Sequence, residues 1–578
     1  MEIYKEAVAR CLTAPLGKSI DEVVAMLRLP PEPEMGDYAF PCFTLAKERK
    51  QAPPRIASAL AAEIAVQEPI ASVQAQGPYV NFKLDDDVLS RQVIQQILDT
   101  GEGYGHGDEG RGLKVIVDYS APNIAKELAS HHIRSTMIGH ALVQILRARG
   151  YAVEGDNHLG DWGTPFGILI AAYQRFGWDE QADVEDIVQL NALYVRASQE
   201  AKTDPEFAAE GRRWFQRLEA GDEEARQRWR WFVEVSLAEF QKVYDLLGVS
   251  FEHTLGESFF EPYIDDAVRL LDERELAIES EGAQVVDLSA YDMPPFLIKK
   301  QDDTTLYSTR DIATALYRQH EWQFDTCLYV VDMGQSLHFK QLFQVLELAG
   351  CEWARNCHHI PFGLVLVKDP DTGKWQKGAT RQGNASLLKT VLEDAIAMAR
   401  QKIAESNPAL PNADDVARQV GVGAVVFNDM RHRRVRDVKF DQEAILNPYG
   451  ETGPYMQYTH ARCASVLSAS GLTPGEGVDY TLLGEPEERA LVRKLVTYPD
   501  VVAQAAQEWE PSIVAQHLLA LAADFNSYWA RGSKDHSVRI LRQDAPEVTA
   551  ARVALTAALR MVLRNGLRLL GVPTPDAM

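Results

Sequence analysis

The sequence predicts an α/β protein with a nucleotide-binding type of parallel sheet at its centre, an α+β unit before it and an all-α bundle after it. Three observations carry this prediction. A chain of 578 residues exceeds what one core organises, because domains run about 100–200 residues each, so three or four are expected. The middle of the chain twice alternates an apolar strand with an amphipathic helix, the pattern of βαβ units. Beyond residue 451 only helical periodicity remains.

Residues 1–110 read as the α+β unit, with helical patterns near 2–15, 56–66 and 87–99 and a short strand at Tyr79-Val-Asn-Phe-Lys83. Gly101-Glu-Gly-Tyr-Gly-His-Gly107 reads as a glycine-rich linker. Lys114-Val-Ile-Val-Asp-Tyr119 is a buried strand, and after the Pro122 turn a helix places Ile133, Met137, Ala141 and Ile145 on one apolar face. The second pattern runs from a helix around Thr309–Arg318 through the strand Cys327-Leu-Tyr-Val-Val331 to a helix at about 338–349. Between them, residues 183–275 are rich in charge and helix formers and read as a helical insertion anchored by Trp214, Trp229 and Trp231. Residues 451–578 carry the Leu/Ala/Val periodicity of a bundle.

Composition narrows the class of function. With 46% hydrophobic and 25% charged residues, and no run of some 18 apolar residues, the chain reads as soluble and not membrane-spanning. Its start, Met-Glu-Ile-Tyr-Lys-Glu, lacks the basic and apolar segments of a secretory signal, and its six cysteines are scattered, so a reducing cytoplasm is expected. The balance of 59 basic and 83 acidic residues, −24 overall, argues against indiscriminate nucleic-acid binding. Two local clusters run against that sum. In 531–568, Arg531, Lys534, Arg539, Arg542, Arg552, Arg560, Arg564 and Arg568 face Asp535, Asp544 and Glu547, giving 8 − 3 = +5. The second is Arg431-His-Arg-Arg-Val-Arg436 with Lys439. Both are either an RNA-contacting surface or solvated faces paired with acids elsewhere.

In an open parallel sheet, ligands bind beyond the carboxyl ends of the strands, where a helix N-terminus offers free N–H groups to phosphate. Ser130-His131-His132 falls at such a place, and two imidazoles there can donate hydrogen bonds to a departing triphosphate. The plainer reading is a pair of solvent-facing caps. Asp118, at a strand end, and Asp311, read as just after one, suit a guanidinium or an amine through charge-assisted bonds, with Asn123 and Gln335 as neutral contacts. Each is also an ordinary cap or turn residue. Cys351, Cys357, His358 and His359 offer soft ligands but lack the tight paired spacing of structural zinc sites, so no metal is expected. His460 reads as a helix-packing histidine.

Over essentially the whole chain, the motifs resemble those of the arginyl-tRNA synthetases. Pro33-Glu-Met-Gly-Asp-Tyr-Ala-Phe-Pro-Cys-Phe43 is similar to the family's amino-terminal domain, which contacts the tRNA elbow. Asn123-Ile-Ala-Lys126, Asn157-His-Leu-Gly-Asp-Trp-Gly163, Leu306-Tyr-Ser-Thr-Arg-Asp311 and His338-Phe-Lys-Gln341 resemble its catalytic-domain signatures. Gly450-Glu-Thr-Gly-Pro-Tyr-Met-Gln-Tyr-Thr-His-Ala-Arg462 and Arg564-Asn-Gly-Leu-Arg-Leu-Leu-Gly571 resemble the opening and close of its helical anticodon-binding domain. The resemblance implies a class I synthetase fold: residues 1–110 as the tRNA-contacting domain, 111–450 as a Rossmann-like catalytic domain with the insertion and a Lys377–Gly383 loop, and 451–578 as the anticodon-binding-type bundle. It implies an arginine pocket of Asp118, Asn123, Tyr307, Asp311 and Gln335, and ATP contacts at Ser130, His131, His132, His158, Gly160, Asp161 and Lys377. Catalysis would fall to His132, Lys377 and Arg381. ATP with Mg2+, L-arginine and tRNA are the implied substrates, used by a monomer without a tightly bound cofactor.

The sequence departs from the family at the nucleotide elements. Where the family has His-x-Gly-His, this chain has Ala129-Ser130-His131-His132, and a histidine side chain fills space where adenine packs against glycine. The later loop, Lys-Met-Ser-Thr-Arg-Lys-Gly in close relatives, reads Lys377-Gly-Ala-Thr-Arg-Gln-Gly383, keeping Lys377 and Arg381. The leading expectation is ATP-dependent joining of arginine to tRNA. The alternative is a paralogue that binds arginine but has lost or redirected adenylation, whether for specialised metabolism, arginine sensing or inhibitor resistance. The third is a non-catalytic RNA-binding protein resting on the +5 segment.

Overall fold

The computed structural model describes residues 2–28, 30, 35–178, 186–280, 282–299, 307–368, 372–377 and 387–578. Its centre is a four-stranded, wholly parallel sheet in the order Cys357–His359, Thr326–Tyr329, Lys114–Asp118, Ala152–Asp156. Lys114-Val-Ile-Val-Asp118 is apolar on both faces because both are covered. Val115 and Val117 join the core under the helix His132–Ala148, whereas Ile116 joins Cys327 and Tyr329 in a second core under the helices Ile264–Glu273, Tyr307–Trp322 and Ser336–Leu348. The chain leaves the central strand Lys114–Asp118 towards Ala152–Asp156 and later returns to its other side at Thr326–Tyr329. The connection direction therefore reverses beside Asp118, which opens a crevice at the carboxyl ends of these two strands.

Residues 2–100 form the antiparallel sheet Tyr38–Pro41, Tyr79–Leu84, Ile70–Gln76 with helices that include Glu2–Leu16, Pro53–Glu63 and Asp86–Thr100. The glycine-rich stretch that follows is docked rather than a free linker. The Tyr104 hydroxyl donates to the Leu495 carbonyl at 3.0 Å, and Asn565 donates to the Gly101 and Tyr104 carbonyls. The carboxy-terminal bundle packs Gly453–Ser470, Pro486–Glu508, Ser512–Lys534 and Pro546–Leu569. Two small sheets were not legible in the sequence. One is the meander Ala277–Ser280, Ala283–Val286, Phe296–Lys299; the other places Val365–Lys368 between Trp375–Lys377 and Val438–Phe440. Their strands are three or four residues long, too short for a period to register.

The basic clusters are largely paired with acids, most of which lie outside the sequence windows. Arg531 pairs with Glu485 and Glu487, Arg542 with Asp544, Arg552 with Glu488, Arg560 with Asp576, and Arg564 and Arg568 with Glu102. Arg431 pairs with Glu451 and Arg433 with Glu508, while the Arg434 guanidinium donates to the Trp509 carbonyl. These arginines staple elements together. The excess of positive charge expected for 531–568 is therefore not an open basic face, and the reading as paired, solvated faces holds there.

Candidate functional site

Asp118 ends the central strand and lies in register with Tyr329 on one side and Asp156 on the other, so the three side chains share one face. Arg318 reaches across this row from the helix Tyr307–Trp322. One guanidinium nitrogen donates to Asp118 Oδ2 at 2.8 Å and to Asp156 Oδ2 at 2.7 Å, and the group lies 5.3 Å from the Tyr329 ring centre. All four residues are buried. The Oδ1 atoms of both aspartates have no hydrogen-bond partner among the described residues. Burial holds the Asp118 carboxyl above the usual carboxylate range, opposed chiefly by Arg318.

The segment after Asp118 is strained. Ser120, Ala121 and Ala125 all have positive φ, at 71°, 47° and 60°. Such strain persists only where surrounding bonds over-determine it. Ser135 Oγ accepts from the Ser120 amide and Asn157 Oδ1 from the Ala121 amide, while Ser236 Oγ, on the helix Glu223–Leu247, accepts from the Ala125 amide. The helical insertion thus braces the loop that carries Asn123. Gly160 sits against that loop so closely that a Cβ there would lie 2.0 Å from Asn123 Oδ1, so no side chain fits.

A cleft of about 790 Å³ opens at the switch point. It brings together Asp118, Asn123, His131, His132, His158, Gly160, Asp311, Gln335 and Lys377 from widely separated parts of the chain. Asp311 lies in the helix Tyr307–Trp322 rather than just after a strand, and its Oδ2 lies 2.6 Å from His338 Nε2. The helix begins at Tyr307, whose side chain lies outside the described set, as does all of Arg381.

Two expected contacts stand away from the cleft. Ser130 is buried against a small, mostly apolar cavity lined by Ile133, Val365 and Leu388. Asp161 is also buried, and its carboxylate accepts from the Ser258 amide at 2.8 Å and from the Ser258 hydroxyl at 2.6 Å. Neither lines the cleft, and the Asp161 carboxylate is committed to the turn at Ser258.

His131 and His132 are not solvent-facing caps. Their rings lie 4.2 Å apart at the start of the helix His132–Ala148. His132 Nδ1 lies 3.0 Å from the Ala129 amide nitrogen and 3.1 Å from the Ala129 carbonyl oxygen, accepting from the first in the Nε2–H tautomer and donating to the second in the Nδ1–H tautomer. Burial, then neighbouring His131, pushes the His132 imidazole down to about 3, so near neutrality it is an uncharged N–H donor. His131 is lowered by burial and by the approach of Lys377 on the facing wall.

Sequence reasoning missed Glu257 and Arg318. Asp311, Thr314 and Arg318 line the cleft at successive spacings of three and four, one polar stripe along the helix, and that spacing was the available signal. Glu257, at the start of the short 3-10 helix Glu257–Tyr263, carried none. Its carboxylate lines the cleft, accepts from Arg310 Nε at 3.1 Å and is raised by burial. Neighbouring Glu261 is pushed up to about 7, also mainly by burial. Elsewhere, Cys357 lies beside Cys327 on the neighbouring strand and His359 Nε2 lies 3.0 Å from the Val331 carbonyl. His460 is buried with Nδ1 on the Pro575 carbonyl. Among the described residues no three His, Cys, Asp or Glu side chains converge as for a metal ion, and no helix is long and apolar enough to cross a membrane.

Comparison with known proteins covers the chain in three parts. The family model for "tRNA synthetases class I (R), catalytic domain" matches residues 93–442, that for "Arginyl tRNA synthetase N terminal domain" residues 2–84, and that for "DALR anticodon binding domain" residues 456–578. The chain is 45% identical over 578 residues to an arginine–tRNA ligase of Exiguobacterium sibiricum, covering 100% of both. It is 42% identical over 579 residues to that of Clostridioides difficile, again covering 100% of both. Among solved structures it is similar to the arginyl-tRNA synthetase of Thermus thermophilus, with a TM-score of 0.81 and 25% identity over 100% of each chain.

Proposed function

Because this chain belongs to the arginyl-tRNA synthetase family, we propose that it joins L-arginine to tRNA at the expense of ATP, in the cleft beside Asp118. The observation that carries this reading is the meeting of two chemistries in one cleft, the acids Asp118, Asp311 and Glu257 together with the His132 and Lys377 donors. Arginine has a cation at each end, and its carboxylate must face the nucleotide. The α-ammonium therefore lies near Asp118 and Asn123, which share a loop with the histidines, and the guanidinium reaches towards Asp311, Glu257, Gln335 and Tyr307.

A carboxylate oxygen of arginine attacks the α-phosphorus of ATP, forming arginyl-adenylate as the bond to pyrophosphate breaks. A terminal ribose hydroxyl of tRNA then attacks the arginyl carbonyl and releases AMP. In its Nε2–H tautomer His132 donates a hydrogen bond to the phosphates, while Lys377 and Arg381 balance the charge that develops on pyrophosphate. Mg2+ enters as part of the ATP complex, and Asp332, lining the cleft beside His131, is the nearby carboxylate suited to it. Arginine-dependent exchange of pyrophosphate into ATP, measured with and without tRNA, tests the reading. No exchange from folded protein under either condition would overturn it.

Two further results are expected. Glu257 must be ionised to receive a guanidinium, and burial raises its carboxyl, so protons compete with arginine at higher pH than for an ordinary glutamate. The sign follows: arginine affinity is full on the alkaline side and falls as pH drops from 8 towards 5. Calorimetry at constant ionic strength should show this slope, and Glu257→Gln should flatten it. The second concerns His131, which narrows the nucleotide end of the cleft. The paired change Ala129→His with His131→Gly is expected to raise kcat/KM for ATP on the order of tenfold. An unchanged value would mean that the native pair serves the nucleotide equally well.

A further inference from the structure

The two donors assigned to the nucleotide sit on separate units. His132 opens the helix His132–Ala148, whereas Lys377 ends the hairpin of the small sheet. One side chain ties those units together. Arg134, in the first turn of the helix and 1% exposed, donates from Nε to Asp429 Oδ1 at 2.9 Å and from Nη1 to the Arg436 carbonyl at 2.7 Å. Its guanidinium also lies 5.8 Å from the Phe362 ring centre.

From there the connection to Lys377 is continuous. Arg436 leads into the strand Val438–Phe440, which pairs with Val365–Lys368. The Gly363 amide donates to the Arg434 carbonyl, the Leu364 amide to Asp437 Oδ1 and the Val438 amide to the Leu364 carbonyl, at 2.9, 2.7 and 2.8 Å. Phe362, Gly363, Leu364 and Val365 line the cleft, and Leu366 stands opposite Lys377 in the hairpin.

A buried ion pair is weak evidence for stability, because loss of hydration offsets much of the attraction. This one is also incompletely bonded: Arg134 Nη2 and Asp429 Oδ2 have no hydrogen-bond partner among the described residues. What a planar fork supplies best is geometry, since it fixes two acceptors in direction as well as distance. We propose that Arg134 and Asp429 are positioning residues for ATP, holding the unit that carries Lys377 at a set distance from His132 and leaving the arginine end of the cleft untouched. The proposal rests on the function proposed above.

The test is steady-state pyrophosphate exchange with arginine and ATP varied separately. Arg134→Lys keeps the charge but loses the fork, and should raise KM for ATP or lower kcat by about ten- to a hundredfold while KM for arginine stays within about twofold. Asp429→Asn keeps an acceptor for Arg134 and should have the smaller effect. Gly363→Ala disturbs the same junction without touching the ion pair, since its Cβ would lie 2.7 Å from the Arg436 carbonyl oxygen. It should show the same split between ATP and arginine. Folded variants with wild-type ATP constants, or with ATP and arginine affected equally, overturn the proposal. So does an Arg134→Lys chain that fails to fold beside a Gly363→Ala chain that behaves as wild type. If the wild-type protein itself shows no exchange, the functional reading fails, and calorimetric ATP affinity of the same variants still decides the positioning role.

Discussion

Replacing Arg318 with methionine is expected to destabilise the protein by about 3–5 kcal/mol and to abolish exchange activity. The guanidinium is fully buried and bonds to both Asp118 and Asp156. Without it two buried carboxylates remain, each with one oxygen already lacking a partner among the described residues. The loss should depend on pH, with a definite sign. Burial already raises the Asp118 carboxyl, and removing the cation that opposes this raises it further, so the folded variant prefers protonated acids. Its deficit against wild type is therefore largest above neutrality and shrinks as pH falls towards 5. Thermal or denaturant unfolding across pH 5–8 measures this directly. A deficit below about 1 kcal/mol, constant with pH, would show that the aspartates do not depend on Arg318.

The second large effect is expected at Asp311. Asp311→Asn removes the charge facing the bound guanidinium while keeping size and hydrogen-bonding capacity. KM for arginine should rise roughly a hundredfold, the equivalent of about 2.7 kcal/mol from one charge-assisted contact. KM for ATP should hold if the nucleotide binds at His132 and Lys377 as proposed. His338 complicates a simple reading, since its Nε2 is 2.6 Å from the same carboxylate. His338→Gln separates the two roles: a small change there beside a large one in Asp311→Asn assigns the effect to arginine, whereas equal changes would show that Asp311 acts by holding His338.

Most of the architecture was legible because its elements are long and periodic. The strand from Lys114 and the helix carrying Ile133, Met137, Ala141 and Ile145 stand out by apolar patterning, and Asp118, Asn123, His131, His132, His158, Gly160, Asp311, Gln335 and Lys377 meet in one cleft. The short strands of the two small sheets gave no such signal, although one of them carries Lys377. Charge was the least legible property. Arg552 reads as part of a basic run, yet it lies buried on Glu488, 64 positions away.

By itself the sequence determined the family, the α/β centre and which residue types are available for arginine and ATP, because these depend on local pattern and on motif identity. Tertiary structure alone decided how those residues are committed. Asp118 shares its carboxylate with Arg318, Ser130 lies buried outside the cleft, Asp161 bonds to Ser258, and Glu257 arrives in the cleft from the start of a short 3-10 helix. Arg134 ties the helix His132–Ala148 to Asp429 and the Arg436 carbonyl. The physical reason is that a side chain's role depends on its partner and its exposure, and both are set by contacts between residues that lie up to hundreds of positions apart.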